Sequence, residues 1–283
     1  MSRRTLAALA SLVLTAGAAS AADLPSRRVA PAYTPVAPVF TWTGFYAGTL
    51  TGYGFSDRQR VRTTGNQPFT AGAVGAGIRP GAVSIEQDGL TSIGGGGGYD
   101  YQFTPGSGVV VGVAADATLM DLEGRKGAAG ATGALSGFRQ DLNYLGTVRG
   151  RVGYAFDRFL VYGTGGFAFG GVDYRAAFFR GGDAALAYAG QRSTTETGFV
   201  YGGGIEYALP VDSFLTKFSV LSLIGVKSEA ITLKAEYLHY DLGQRSVLVS
   251  STGLPGLGGS YNSRFQTEGN LVRGGLTYRF GGL

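Results

Sequence analysis

The residue types that most often carry catalysis are scarce in this sequence. It has one histidine, His239, and no cysteine, which excludes a thiol nucleophile, a disulfide scaffold and a three-histidine metal centre. A serine hydrolase would need His239 as its base, but no G-x-S-x-G motif accompanies it. His239 also falls on the apolar side of an alternating segment, where a place in an aromatic girdle explains it better. We therefore expect no catalytic residue, no bound metal and no cofactor.

A run of glycines, Gly94 to Gly98, could be mistaken for a phosphate-binding loop. The run is not followed by the Lys-Ser/Thr pair and helix start that such a loop needs. Glycines inside a strand are better explained by close packing and by the strong curvature of a small barrel. The sequence favours this structural explanation.

The main concentration of chemistry is a set of charged residues that alternate with apolar residues along predicted strands. A charged group on the lipid face of a barrel would cost about 2–4 kcal/mol at the bilayer midplane, so these residues are expected to point inward. The candidate interior network is Asp116, Arg149, Arg151, Glu206, Lys234, Glu236 and Arg273, with Arg279 as a further candidate.

Two roles are open for these charges. The interior of an eight-stranded barrel is just wide enough for side chains to fill it, which favours a structural plug of salt bridges. The alternative is a narrow, gated or weakly selective ion path, in which the same residues form the constriction.

The clearest predicted strand is 140–156. Its even positions, from Leu142 to Phe156, are apolar or glycine, and its odd positions include Asp141, Asn143, Arg149 and Arg151. A period of two places these sets on opposite faces of a strand. The length and repetition of such segments favour a membrane barrel over a soluble sandwich.

Seven further segments have strand character, and their connectors predict the topology. Segments 91–103, 109–120, 197–209, 231–241 and 268–280 alternate clearly, whereas 43–55 and 159–173 have ambiguous faces. Long polar intervals at 56–89, 122–139, 175–195 and 243–266 are predicted as loops, and 104–108 and 157–158 as tight turns. The partly apolar interval 210–229 is predicted as a strand extension or a short amphipathic rim element. Together these features predict an all-β fold, an eight-stranded antiparallel transmembrane β-barrel.

The first residues indicate export. Arg3 and Arg4 precede a short apolar stretch, and Ala19-Ser20-Ala21 supplies small residues for cleavage, so 1–22 is predicted as a signal peptide. The Pro- and Ala-rich segment 23–40 is predicted to be extended in the periplasm, and 41–283 to form the barrel.

Charge and composition exclude other classes of protein. Removing the two arginines of the signal lowers the formal net charge from +5 to +3, and no run of basic residues suggests nucleic-acid binding. No segment after the signal offers the ~18 consecutive apolar residues of a spanning helix. A content of 50 glycines, 16 tyrosines and 17 phenylalanines, placed within alternating segments, is instead typical of a membrane barrel.

Several stretches occur in an order that is similar to a known family. They are AADLPSRR (21–28), FTWTGFYAGTLTGYGFSD (40–57), GGGGGYDYQF (94–103), VVVGVAADATL (109–119), LGTVRGRVGYAFDRFLVYGTGGFAFG (145–170), GGGIEYAL (202–209), LKAEYLHYDLG (233–243) and VRGGLTYRF (272–280). Through them the chain resembles the alphaproteobacterial 25/31-kDa outer-membrane proteins, whose barrel is similar to the OmpA transmembrane domain. The chain departs from the family pattern in the 210–229 connector and in the ending Gly281-Gly282-Leu283.

The resemblance implies an abundant, surface-exposed eight-stranded barrel of the bacterial outer membrane, called a porin in some members, and no enzyme. The expected partners are outer-membrane lipids and lipopolysaccharide, and the barrel-assembly machinery during biogenesis. The predicted function is a non-enzymatic contribution to envelope structure and surface properties. The alternatives are a narrow porin-like channel for ions or small solutes and, less favoured, an outer-membrane lipid-modifying enzyme.

Overall fold

The computed structural model describes residues 39–210, 230–254 and 256–280, apart from the side chains of residues 57, 58, 91 and 92. The predicted signal peptide (1–22), nearly all of the segment 23–40, most of the connector 210–229 and the ending 281–283 lie outside the described residues.

Eight long strands form a closed ring in the described part of the chain, each antiparallel to both of its neighbours. The strands are β1 (Gly44–Gly65), β2 (Ala82–Gln102), β3 (Ser107–Ala129), β4 (Leu135–Phe156), β5 (Phe159–Phe179), β6 (Leu186–Ala208), β7 (Ala230–Ser251) and β8 (Ser260–Phe280). β1 pairs with β8, which closes the ring. One helix, α1 (Pro68–Gly75), lies between β1 and β2, and none of the described residues forms a helix long and apolar enough to cross a bilayer.

The strands are longer than the predicted segments, which contain 11 to 17 residues. They contain 21 to 23 residues, whereas about 9–11 tilted residues cross a bilayer. The prediction of loops at 56–89, 122–139, 175–195 and 243–266 is therefore wrong, because most of these residues continue strands and leave connectors only at 66–81, 130–134, 180–185 and 252–259. The tight turns predicted at 104–108 and 157–158 correspond to the observed connectors 103–106 and 157–158.

The polarity of the two faces reverses partway along the barrel. In the half next to the tight turns, the lower half, apolar residues such as Val113 and Val148 face outward and charged residues face inward. In the upper half, residues such as Val61 and Phe178 are buried inside, and polar residues such as Arg62 are exposed. The exposed polar residues of these extensions resemble loop sequence, which is why the pattern predicted loops there.

In four strands, the residues that point inward switch between even and odd numbers near the level where the polarity reverses. Register shifts mark the change in β1, β2, β4 and β7. An extra residue in one strand moves all later side chains to the opposite face. In β4, Arg149 and Leu142 therefore both point inward although one number is odd and the other even. The predicted outward position of Leu142 and inward position of Asp141 are wrong, and Asp141 pairs with Arg139 on the outer face.

An apolar band bordered by aromatic pairs surrounds the lower half. Phe45–Tyr99 and Tyr154–Phe156 lie near the tight turns, with ring centroids 4.9 and 4.8 Å apart. The pair Phe199–Tyr201 lies at the upper edge of the band. A rise of ~3.3 Å per residue and a tilt of ~40° give the band a height of roughly 20 Å between Phe159 and Phe167 on β5. This is close to the ~25 Å of outer-membrane barrels, which carry aromatic girdles at both edges.

Candidate functional site

The interior of the lower half contains one network of charged side chains. All seven residues predicted from sequence lie in it, together with Arg279 and Asp100: the members are Asp100, Asp116, Arg149, Arg151, Glu206, Lys234, Glu236, Arg273 and Arg279. Five cations thus face four carboxylates, and no side chain of the network is more than 4% exposed. Such groups must be paired in the interior, because leaving one alone would cost several kcal/mol.

The first part of the network surrounds Asp100 and Glu206. Arg151 places Nη1 2.8 Å from Glu206 Oε1 and donates from Nη2 to Asp100 Oδ2 at 2.8 Å. Arg279 Nη2 reaches both carboxylates, at 2.7 Å from Asp100 Oδ2 and 3.2 Å from Glu206 Oε2. Two arginine forks and two carboxylates therefore form a closed square across the barrel, which is the strong, charge-assisted form of hydrogen bonding.

The second part surrounds Asp116 and Glu236. Arg149 lies 2.6 Å from Asp116 Oδ2 through Nη2 and 2.9 Å from Glu236 Oε1 through Nη1. Arg273 bridges the same two carboxylates, with both of its contacts at 2.7 Å. The strand register makes this square possible, because Glu236 on β7 pairs directly with Arg273 on β8.

Lys234 and Tyr162 connect the two squares. Lys234 Nζ lies 3.4 Å from Glu236 Oε1 and 4.0 Å from Glu206 Oε1. The Tyr162 hydroxyl donates to Glu236 Oε1 at 3.0 Å, and the Arg151 guanidinium lies 4.5 Å from the centroid of the same ring. The network is therefore continuous across the barrel interior.

Glycines on the inward faces leave space for these side chains. A Cβ added to Gly112 would lie 2.2 Å from Asp100 Oδ1, and one added to Gly96 would lie 2.5 Å from Asp116 Cβ. A Cβ at Gly204 would lie 2.6 Å from the Tyr162 hydroxyl. Some of the glycine content of the strands, including part of the 94–98 run, thus makes room for the charge network.

Apolar layers lie below and above the network. Below it, near the tight turns, Trp42, Leu160 and neighbouring residues are fully buried, and Trp42 Nε1 donates to Asp157 O at 2.8 Å. Above it, a large apolar cluster that includes Phe138, Phe178 and Phe265 is packed inside the upper half, together with buried glutamines such as Gln59 and Gln140. A cavity beside Asp116 and Lys234 measures only about 10 Å³, roughly the space for one water molecule.

Asp100 belongs to the charge network but is not among the candidates predicted from the sequence. The signal was present, because Asp100 alternates with Tyr99 and Tyr101, which are outward and exposed. The hydroxyl of Tyr162, and that of Tyr46, which accepts from Arg151 Nη1 at 3.4 Å, could not be found in this way, because tyrosine is also the residue expected in the outward aromatic girdles.

His239 lies on the outer face of β7, as its parity predicts, although the strand continues well beyond it to Ser251. Its Nδ1 is 2.9 Å from Asn270 Oδ1, and its ring centroid is 5.1 Å from that of Tyr201. Neither neighbour is a nucleophilic serine or an orienting carboxylate. Among the described residues no group of three or more His, Cys, Asp or Glu side chains could hold a metal ion.

Comparisons with known proteins give a consistent result. No family model matches the chain. The 31 kDa outer-membrane immunogenic proteins of Brucella melitensis biotype 1 and Brucella suis biovar 1 are each 31% identical over 289 residues, which cover 97% of this chain and 98% of theirs. A 22 kDa outer membrane protein of Rhizobium leguminosarum bv. viciae is 30% identical over 175 residues, 61% of this chain and 59% of that protein.

Solved structures that are similar to the chain include the outer membrane protein OprG from Pseudomonas aeruginosa. It is 13% identical, with 84% of this chain and 96% of that chain covered and a TM-score of 0.46.

Proposed function

The chain belongs to the family of the 31 kDa outer-membrane immunogenic proteins, and we propose that it acts in the outer membrane as a non-enzymatic structural and surface protein whose lumen is closed. In this proposal the spanning unit is a single barrel of the eight strands β1 to β8, and the interior charges are a salt-bridged plug. The protein contributes to envelope integrity and presents its upper half at the cell surface.

The observation that carries the proposal is the filling of the interior by three successive layers. Trp42 and Leu160 belong to the lowest layer, the paired charges form the middle one, and aromatic residues such as Phe265 form the upper one. An ion path needs water along its length and charged groups that can exchange partners with the passing ion. Here arginines are held between two carboxylates, which supports a plug.

The strand pairing supports a barrel of eight. Each of the eight strands has two neighbours within the described residues, and the register between β7 and β8 runs from Ala230–Arg279 at one end to Ser250–Ser260 at the other. This pairing supports a ring of eight strands.

A non-enzymatic role is supported by the surroundings of His239. Its partners are Asn270 and Tyr201, and a hydrolase base would instead need a serine to activate and an acid to orient it. Its position beside Tyr237, at the upper edge of the apolar band, fits an interfacial girdle.

Lipopolysaccharide is the partner that we propose for the outer face of the upper half. Arg60, Arg62 and Arg264 line an outward groove of about 270 Å³, and Arg62 and Arg264 are direct cross-strand partners. Like charges placed opposite each other are destabilising by themselves, so an external anion would stabilise this arrangement. Phosphate and acidic sugar groups of lipopolysaccharide supply such anions beside the barrel. Insertion would depend on the barrel-assembly machinery, as for other outer-membrane barrels.

Planar-bilayer conductance tests the closed lumen. The protein is refolded, its folding is verified by heat-shifted gel migration, and single-channel current is recorded for the wild type and for Arg149→Gln, Arg151→Gln and Glu206→Gln. We expect the folded wild type to be silent. Discrete current steps from the folded species that change with these substitutions would contradict the plug and indicate a narrow channel through the charge network. Current steps that change in none of the variants would indicate a pore elsewhere in the protein.

A further inference from the structure

A second feature of the molecule, separate from the charge network, is an apolar cavity at the upper end of the barrel. It measures about 580 Å³ and is lined mainly by Phe69, Ile78, Ala187, Tyr188, Leu257 and Tyr261. Its walls come from all four upper connectors, since residues 68–79, 132–134, 180–181 and 257 contribute to it. Cavities of ~300–1,000 Å³ with mainly apolar walls are typical of small-molecule sites, and the mouth of a β-barrel is a common place for them.

The walls of this cavity are held by specific contacts. The Ala131 N–H donates to Gly77 O at 2.8 Å, which ties the first connector to the second. The Tyr188 hydroxyl donates to Gly258 O at 3.0 Å, which ties β6 to the last connector. The rings of Tyr188 and Tyr261 pack edge to face at 4.9 Å. The cavity is therefore built into the fold and is not a gap between independent loops.

Arg79 is the buried charge of this cavity. It is only 4% exposed and lies among the residues that line the cavity. Nη1 donates to Leu135 O at 2.8 Å and Nη2 to Phe179 O at 2.6 Å, and the guanidinium lies 5.4 Å from the centroid of Phe178. These partners orient the group but are all neutral, and no described carboxylate forms an ion pair with it.

This arrangement differs from that of the lower network, where every arginine faces carboxylates. A buried charge without a counter-charge is costly. The lining includes a second cation, Arg180 at the rim, and no acidic residue. The carbonyls of Leu135 and Phe179 and the hydroxyls of Ser136 and Tyr261 do not use all five N–H donors of the guanidinium, so Arg79 has the capacity to bind an anion.

We propose that this cavity binds a small amphiphile that has one anionic head group on an apolar body, of which a medium-chain carboxylate is the simplest example. The head group would contact Arg79, and the apolar body would lie against Tyr188, Tyr261 and Leu257. This site is independent of the closed lumen, so its failure would leave that proposal intact.

Binding of radiolabelled decanoate to the folded protein in lipid nanodiscs tests the proposal. Detergent is avoided because it would compete for an amphiphile site, and empty nanodiscs give the background of lipid partitioning. We expect saturable binding of about one decanoate per chain above this background. Unlabelled decyltrimethylammonium, which has the same chain with a cationic head, should fail to displace it.

Two variants locate the site. Arg79→Gln removes the charge-assisted contact and is expected to weaken decanoate binding about tenfold or more. Gly72→Phe is expected to abolish binding, because Gly72 lines the cavity and an added Cβ meets no atom within 4 Å, which leaves room for the ring to occupy the cavity. Arg192→Gln is the matched control, because Arg192 is an exposed arginine outside the lining, and its affinity should equal that of the wild type.

Three outcomes would overturn the proposal. They are no saturable binding above empty nanodiscs, equal displacement by decyltrimethylammonium, and unchanged affinity in a folded Gly72→Phe variant. The last measurement keeps the test valid if Arg79→Gln does not fold, because Gly72 takes no part in the contacts of Arg79.

Discussion

Glu236→Gln is the sharpest test of the interior network. Glu236 accepts contacts from Arg149 at 2.9 Å, from Arg273 at 2.7 Å and from Lys234 at 3.4 Å, and its side chain is fully buried. Glutamine has nearly the same shape, so the substitution changes charge with little change in packing. The substitution raises the excess of cations over carboxylates in the network from one to two. Arg149, Arg273 and Lys234 each lose one carboxylate partner.

The expected loss follows from the burial of these groups. Removing one partner of a buried ion pair costs about 3–5 kcal/mol. For a domain of this size each kcal/mol corresponds to a shift in Tm of about 2–4 °C, so the expected decrease is about 6–20 °C. Unfolding by guanidinium in lipid vesicles gives the free energy, and the temperature of the gel-migration shift gives an independent measure.

Glu123→Gln is the matched control. Glu123 pairs with Arg125 and Arg139 on the exposed outer face of the upper half. An exposed pair contributes only about 0–1 kcal/mol, so this variant should unfold almost as the wild type does.

The double variant Glu236→Gln/Arg273→Gln separates charge balance from packing. Removing Arg273 should cost less in the Glu236→Gln background than in the wild type, with a coupling of about 0.5–3 kcal/mol. If Glu236→Gln costs no more than Glu123→Gln, or if the two substitutions are additive, the interior charges do not stabilise the barrel as a network.

Three further predictions concern other parts of the molecule. Gly112→Ala should destabilise the barrel by about 1–3 kcal/mol, because its Cβ would overlap Asp100. Gly163→Ala is the control and should be neutral in the same vesicle assay, because only one atom lies within 4.0 Å of its Cβ. Equal losses of stability in the two variants would contradict the argument that inward glycines make room for the charge network. The pair Arg62→Gln/Arg264→Gln should reduce co-purification of lipopolysaccharide without lowering stability, and an unchanged lipid content would remove these residues from the proposed lipid contact. His239→Ala should leave the lipid A and phospholipid profile of the outer membrane unchanged, as judged by mass spectrometry, and a lost lipid modification would reinstate the enzyme hypothesis.

Local alternation was enough to predict the inward charges. Arg149 and Arg151 on β4 or Lys234 and Glu236 on β7 occupy one face of a strand because side chains alternate with a period of two. The contact between Glu236 and Arg149 across the barrel depends on which strands pair and in which register. Both are set between segments that are distant in sequence. The two squares of ion pairs could not be derived from the sequence pattern for this reason.

Alternation failed where the strands pass the reversal of polarity. Leu142 and Asp141 were assigned to the wrong faces because the extra residue in β4 is visible only from its pairing with β5. The pattern predicts loops for the upper halves of the strands because their outward residues are polar. Their inward residues, such as Val61, are apolar and buried, but the sequence alone does not show what they pack against. A pattern of this kind does not say whether the apolar face meets lipid or a packed core.

The sequence by itself determined the class of the protein. The outer-membrane location, the absence of thiol and three-histidine chemistry, the period-two strand pattern and the family all follow from residues along the chain, since each depends on composition or on neighbours within one segment. Only the tertiary structure decided the length of the strands, the partners within the charge network and the cavity around Arg79. Each of these arises where residues from several strands or connectors meet, and the free energy of such contacts depends on register and burial that no single segment specifies.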